Sequence, residues 1–175
     1  MLANIKKMPT EWVKAFLNPR SLTARTFSNP AFLGKPARYN EPEMRRLELP
    51  AANGHGTARS IATAYGEFAT GGNRLGITAE VSAEVASAAT DPTNGRGDLV
   101  LCTDTRFSLG YCKPFDGFMF GSPSAFGTPG AGGSLGFADP ERKLGFAYVM
   151  NALDYHLFDD PRELALRQAV LDVVG

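Results

Sequence analysis

Residues 126–151 read FGTPGAGGSLGFADPERKLGFAYVMN, and the period of this stretch decides the fold. Its segments GGSLGFA and KLGFAYVMN are short, apolar and rich in Phe, Tyr, Leu and Val, the residues that favour strands. DPERK between them makes a tight link, so the two segments face each other as an antiparallel hairpin. Ahead of the hairpin lies a glycine cluster, Gly127 to Gly136, which holds a literal G-x-S-x-G centred on Ser134.

A nucleophile elbow at Ser134 needs a strand before it, a sharp turn at the serine, a helix after it, and then Asp and His. Upstream there is only a Gly/Pro loop and downstream a strand; Asp139 falls in the hairpin turn, and His156 follows Asp154 by two residues. Ser134 therefore reads as a decoy, a small residue at a strand start. A phosphate loop is a weaker reading still, since neither a Lys-Ser/Thr ending nor a following helix is present. Glycines at Gly130, Gly132 and Gly133 have another use: they let a strand edge approach a ligand and aim backbone N–H groups at it, as an oxyanion site requires.

Outward from this stretch, DLVLC (98–102) and TRFSLGYC (105–112) read as further strands after the turn-forming DPTNGRG (91–97). Before them Thr57 caps a helix whose stripe is Ala58, Ile61, Ala62, Tyr65, Phe68 and Ala69, stopped by Gly71 and Gly72. A second helix runs from about Thr78 to Ala89, with Ile77, Val81, Val85 and Ala88 inward. The tail has Asp160 as cap and Pro161 at the first helical position, then an apolar side of Leu164, Leu166, Val170, Leu171, Val173 and Val174, expected to cover the sheet. Residues 1–56 are an extended lead-in, with a short helix around Glu11–Leu17 and one helical turn near Pro42–Arg46 between breaking prolines. The layout is α+β in a single partial domain: lead-in 1–56, helices 57–90, antiparallel sheet 97–151 and carboxyl-terminal helix 160–174.

The chain has 175 residues, 18 basic and 18 acidic, with neither sign gathered into a block, which argues against nucleic acid or an acidic membrane surface as partner. No window approaches the roughly 20 apolar residues of a membrane span. The opening MLANIKKMPTEW lacks the apolar run of a secretory signal, so the expected location is cytoplasmic. Cys102 and Cys112 read as free thiols, with one hairpin-spanning disulfide as the alternative. Two histidines, His55 and His156, without H-E-x-x-H or C-x-x-C, point to no metal, and no cofactor is expected. His55, just before a helix, reads as structural.

ELPAANGHGTARSIATAYGEFATGG, followed some fifty residues later by FGTPGAGGSLGFADPERKLGFAYVMN, resembles the carboxyl-terminal part of serine β-lactamase-like hydrolases, in the class C β-lactamase and family VIII esterase branch. The resemblance runs from about Arg25 to the end and implies a partial β-lactamase/penicillin-binding-protein-like fold. It also implies a nucleophile in S-x-x-K and a tyrosine in Y-x-N, both in an earlier half of a chain about twice this long. No serine here has Lys three residues on, and none of Tyr39, Tyr65, Tyr111, Tyr148 and Tyr155 has Asn two residues on. The family's third element, K-T-G or H-T-G on an edge strand, falls on Thr128, Pro129 and Gly130, so Thr128 replaces the basic or imidazole residue. By the same resemblance Ala131 supplies the strand N–H of the oxyanion hole, and Asn151 lies near the substrate end of the sheet.

The expectation is a fragment of an ester or β-lactam-like amide hydrolase working through an acyl-enzyme, inactive alone. Two alternatives stand beside it: a catalytically dead binding or interaction module, supported by Thr128-Pro129, and a small esterase headed by Ser134. The partner in the complete protein is a small ester or amide. The family's pairing of the strand before Asn151 with amino-terminal strands implies an open sheet edge and self-association here.

Overall fold

The computed structural model describes residues 8–31, 36–52, 54–89, 91 and 97–175. The turn expected over 91–97 lies mostly outside them.

The lead-in holds more regular structure than its prolines imply. Helix α1 (Thr10–Leu17) forms as expected, and Trp12 stacks on Phe16 with ring centroids 4.9 Å apart. A second helix, α2 (Leu22–Phe27), was not expected; the Ser21 hydroxyl caps it by accepting from the Ala24 amide, and Phe27 closes edge-on to Trp12 at 5.8 Å. Thr23 Oγ donates to the Val100 carbonyl (2.7 Å), tying α2 to the start of the sheet region. A 3₁₀ turn, Pro36–Asn40, leads into the short α3 (Pro42–Arg45).

Helix α4 (Ala58–Ala69) starts at a reciprocal capping box between Thr57 and Ser60. Helix α5 (Ala79–Ala86) starts at Thr78 and ends earlier than expected; Val85 is its buried residue, and Val81 is exposed.

Five antiparallel strands follow in the order β1-β2-β3-β4-β5: Phe107–Ser108, Tyr111–Cys112, Phe126–Gly130, Ser134–Asp139 and Leu144–Tyr148. The strand expected at 98–102 does not form. Asp98 Oδ1 accepts from the amides of Val100 (2.7 Å) and Leu101 (2.8 Å), so a side chain captures donors that a ladder would need, and only an isolated bridge, Asp98 to Thr103, remains.

One face of the sheet carries Phe126 and Ala138 against Tyr65, Phe68 and Ala69 of α4 and Val85 of α5. Helix α4 crosses so closely that a Cβ at Gly145 would sit 2.1 Å from the Gly66 amide nitrogen. Lys113 is buried on this side, its ammonium donating to the Val85 carbonyl and lying 5.1 Å from the Phe126 ring centroid; burial lowers its pKa to about 8. The other face carries Leu135, Phe137 and Phe146 with Phe118 and Phe120, and Phe158 and Val170 pack onto it.

Helix α6 (Pro161–Val174) has the expected Asp160 cap, but its inner side corrects the reading from sequence. Glu163 and Arg167 are its buried residues, while Leu164, Leu166, Val173 and Val174 are exposed. The pair is held by Arg167 Nε to Glu163 Oε1 at 2.8 Å, by Arg167 Nη2 to Asp159 at 2.5 Å and by a bond to the Met119 carbonyl, with the guanidinium 5.4 Å from the Phe118 ring centroid. Burial pushes the Glu163 carboxyl up, against the pull of Arg167. Among the described residues no helix is long and apolar enough to cross a membrane.

Candidate functional site

Strand β3 is not a sheet edge in order, since β2 lies outside it, yet it becomes one halfway along. Gly127 pairs with Cys112 on one side and Phe137 on the other, whereas Thr128, Pro129 and Gly130 pair only with Gly136, Leu135 and Ser134 of β4. Among the described residues no strand pairs with the outer edge of Thr128–Gly130. Proline has no N–H, so Pro129–Leu135 is a non-hydrogen-bonded pair, and its neighbours Thr128–Gly136 and Gly130–Ser134 are the bonded ones. A missing donor at Pro129 thus falls on the open side and costs the ladder nothing.

Thr128 is exposed and lies beside the Tyr65 phenol of α4, whose acidity its side chain favours. Gly136, opposite Thr128, makes room for that ring: a Cβ there would lie 2.5 Å from Tyr65 Cε2. Burial pushes the Tyr65 phenol up, against the pull of the Thr128 side chain. Sequence reasoning placed Tyr65 in the α4 stripe and missed this contact; the glycine opposite Thr128 was the available signal.

After Gly130 the chain turns through Ala131, which is exposed, and through Gly132 (φ +96°) and Gly133 (φ +104°), with Gly133 N donating to Gly130 O at 3.2 Å. A covering segment presses on this turn. A Cβ at Gly132 would meet Leu153 at 2.4 Å, and one at Gly133 would meet Asp160 at 2.4 Å. Only glycine suits both the positive φ and the space.

Strands β3 and β5 run the same way, so Asn151 lies at the same end of the sheet as Gly130. It is exposed and lies three residues beyond the end of β5, not at its last position. Its neighbour Leu153 sits on Gly132, but no bond joins Asn151 to Thr128–Ala131 among the contacts described.

Ser134 opens β4, with its Oγ folded toward the Gly130 backbone, where a Cβ would lie 2.1 Å away. Ser134 and His156 line a cavity of about 10 Å³, room for about one water. Strand, not helix, follows the serine, so the elbow geometry is absent. The larger groove, about 390 Å³, is lined by Met8, Pro9, Thr10, Thr103 and Phe158 and by none of the candidate site residues.

Asp154, His156 and Asp160 gather under the covering segment, His156 Nε2 lying 3.6 Å from Asp154 Oδ2. Arg162 claims Asp160: Oδ1 accepts from Arg162 Nε (2.9 Å) and amide (3.0 Å), and Oδ2 from Nη2 (2.6 Å). The Arg162 bond holds the Asp160 carboxyl at about 2, far below its ordinary value. With both oxygens engaged, the cluster is a charge clasp that pins the covering segment, and Arg162 extends it to the carbonyls of Ala152 (2.7 Å) and Gly132 (3.4 Å). His55 Nε2 contacts the Tyr39 carbonyl at 3.0 Å, in line with a structural role. Both cysteines are free thiols, Cys112 buried and pushed up to about 12, Cys102 half-buried.

The sheet thus has a helix layer on each face, and its glycine-rich strand β3 loses its outer partner midway. The Beta-lactamase family model matches residues 9–171, and the chain belongs to that family. Among particular relatives, Esterase/beta-lactamase LipL of Mycobacterium tuberculosis (strain ATCC 25618 / H37Rv) is 39% identical over 114 residues, 65% of this chain and 26% of LipL. A family VIII carboxylesterase structure is 38% identical with a TM-score of 0.67, covering 76% of this chain and 36% of the other. EstA from Arthrobacter nitroguajacolicus Rue61a is 31% identical with a TM-score of 0.73, covering 90% and 42%. The chain thus spans between about a quarter and two fifths of the length of these relatives.

Proposed function

We propose that this chain supplies the strand-edge half of an acyl-transfer site in a serine hydrolase that cleaves small esters or β-lactam-like amides, and that the chain alone is inactive. The observation that carries the reading is the open half of β3. There a backbone edge at Thr128–Gly130, leading to the Ala131 amide, has no strand beyond it among the described residues. A backbone N–H at Ala131 serves as an oxyanion donor whatever its side chain. Thr128 offers a neutral hydroxyl beside Tyr65, and Asn151 stands at the same end of the sheet. The names of LipL, EstA and the carboxylesterase point to ester and lactam chemistry for such a site. No S-x-x-K or Y-x-N occurs in the chain, so the nucleophile and its helper must come from elsewhere.

The test is incubation with a fluorophosphonate probe followed by intact mass. The expected result is no adduct on the chain and no difference in Ser134→Ala; an adduct that disappears in Ser134→Ala would overturn the reading. The dead-module alternative is favoured by Thr128-Pro129 and is separated by a fusion behind the S-x-x-K-bearing portion of the family VIII carboxylesterase. Probe labelling and p-nitrophenyl ester hydrolysis return under the first reading and stay absent under the second.

A further inference from the structure

Left to itself, the glycine turn after β3 would be loose. Gly130, Gly132 and Gly133 surround Ala131, and glycine loses more backbone freedom on folding than any other residue. An oxyanion donor works only if it is aimed before charge develops on the substrate, so something outside the turn must hold it. The covering segment does so. The Gly132 carbonyl accepts from the Asp154 amide (3.1 Å) and from Arg162 Nη2 (3.4 Å), while Leu153 packs against Gly132 and Asp160 Oδ2 lies against Gly133.

From Gly132 the hydrogen bonds continue through the turn as a relay of two peptide units. The Gly132 carbonyl and the Gly133 N–H belong to one peptide, the Gly130 carbonyl and the Ala131 N–H to the other. Gly133 N donates to Gly130 O at 3.2 Å and so joins them. Both peptides are trans, and in a trans peptide the N–H points opposite to the C=O. With the Gly130 carbonyl turned into the turn toward Gly133, the Ala131 N–H is aimed out of it. Each bond in such a chain polarises the next, by roughly 10–30%. A guanidinium on Gly132 O therefore makes the Ala131 N–H a stronger donor as well as a fixed one.

We propose that Arg162 is a positioning residue for the acyl-transfer site: through Gly132, Gly133 and Gly130 it aims and polarises the Ala131 N–H that receives the oxyanion of an ester or amide substrate. The inference rests on the reading of Ala131 as that donor. Arg162 suits the task because its own fork is fixed. Asp160 holds Nε at 2.9 Å and Nη2 at 2.6 Å, and Nη1 donates to the Ala152 carbonyl at 2.7 Å, which leaves Nη2 directed at Gly132. Asp160 is anchored in turn as the cap of α6. The start of α6, the covering segment and the glycine turn are thus one frame. Lysine at this position would keep the charge and lose the fork.

Two measurements test this, one on the chain alone and one in the fusion behind the family VIII carboxylesterase portion. In amide NMR of the chain, Arg162→Met should move the Ala131 and Gly133 proton resonances upfield and speed exchange at Gly133, with Gly145 of β5 unmoved; Arg162→Lys should fall between. If Arg162→Met fails to fold, Arg162→Lys decides alone. In the fusion, Arg162→Lys should lower kcat for a p-nitrophenyl ester about tenfold with KM unchanged, since the donor is loosened and not lost. Resonances of Ala131 and Gly133 that stay in place in a folded variant overturn the relay, whether or not the fusion is active. A raised KM with kcat kept overturns the positioning role. A fusion that is inactive with Arg162 in place overturns the acyl-transfer reading, and this inference with it, even where the spectra show the relay.

Discussion

Glu163 and Arg167 show how a pair of residues inverts the usual rule of burial. Each is almost fully buried, and Arg167 also meets Asp159, the Met119 carbonyl and the Phe118 ring, so the guanidinium is satisfied on every side. Taking two charges out of water is repaid only by such geometry, and removing one partner strands the other. Arg167→Met is therefore expected to lose about 3–5 kcal/mol in urea unfolding, and Glu163→Leu combined with Arg167→Met to regain most of that. A double variant as unstable as the single one would show that the bonds to Met119 and Asp159, not the ion pair, hold the helix. A pattern search for apolar stripes could not find this pair, because it presumes that charged residues face water.

At the scale of elements, what was legible in sequence has local causes. Thr57 and Thr78 announce α4 and α5 because a cap needs one hydroxyl and the next turn of amides, and the β4–β5 hairpin is announced by Phe, Tyr and Leu around DPERK. What was not legible depends on distant or competing partners. Helix α2 is a six-residue segment held by the Ser21 cap and by Trp12 and Phe16 of α1. The segment 98–102 looks like a strand but yields to the Asp98 side chain. The site was legible as a glycine-rich strand edge, while the approach of Tyr65 to Thr128 and the Arg162–Asp160 clasp needed the fold to bring them together. Asp160 also makes α6 sensitive to acid. Its folded pKa, about 2, lies below the ordinary 3.8, so its contribution is full above the ordinary value and is lost as pH falls toward 2. Asp160→Asn keeps a capping side chain without the charge and is expected to flatten the melting temperature across that window. An unchanged acid slope in Asp160→Asn would place the sensitivity in another carboxylate.

For the whole molecule, the sheet is lopsided. Strands β1 and β2 are two residues long, and β3 is open only over its last residues, whereas β5 offers five residues of edge. The long strands β3, β4 and β5 are held between α4 on one face and α6 on the other, while the two short ones hang from β3 by the single register pair Cys112–Gly127. Amide exchange should therefore be fast at Ser108 and Tyr111 and slow at Phe137 and Phe146. Equal protection across β1–β5 would mean that the sheet opens as one unit. The border beside the glycine-rich strand thus loosens on its own, leaving Thr128–Gly130 fixed by β4.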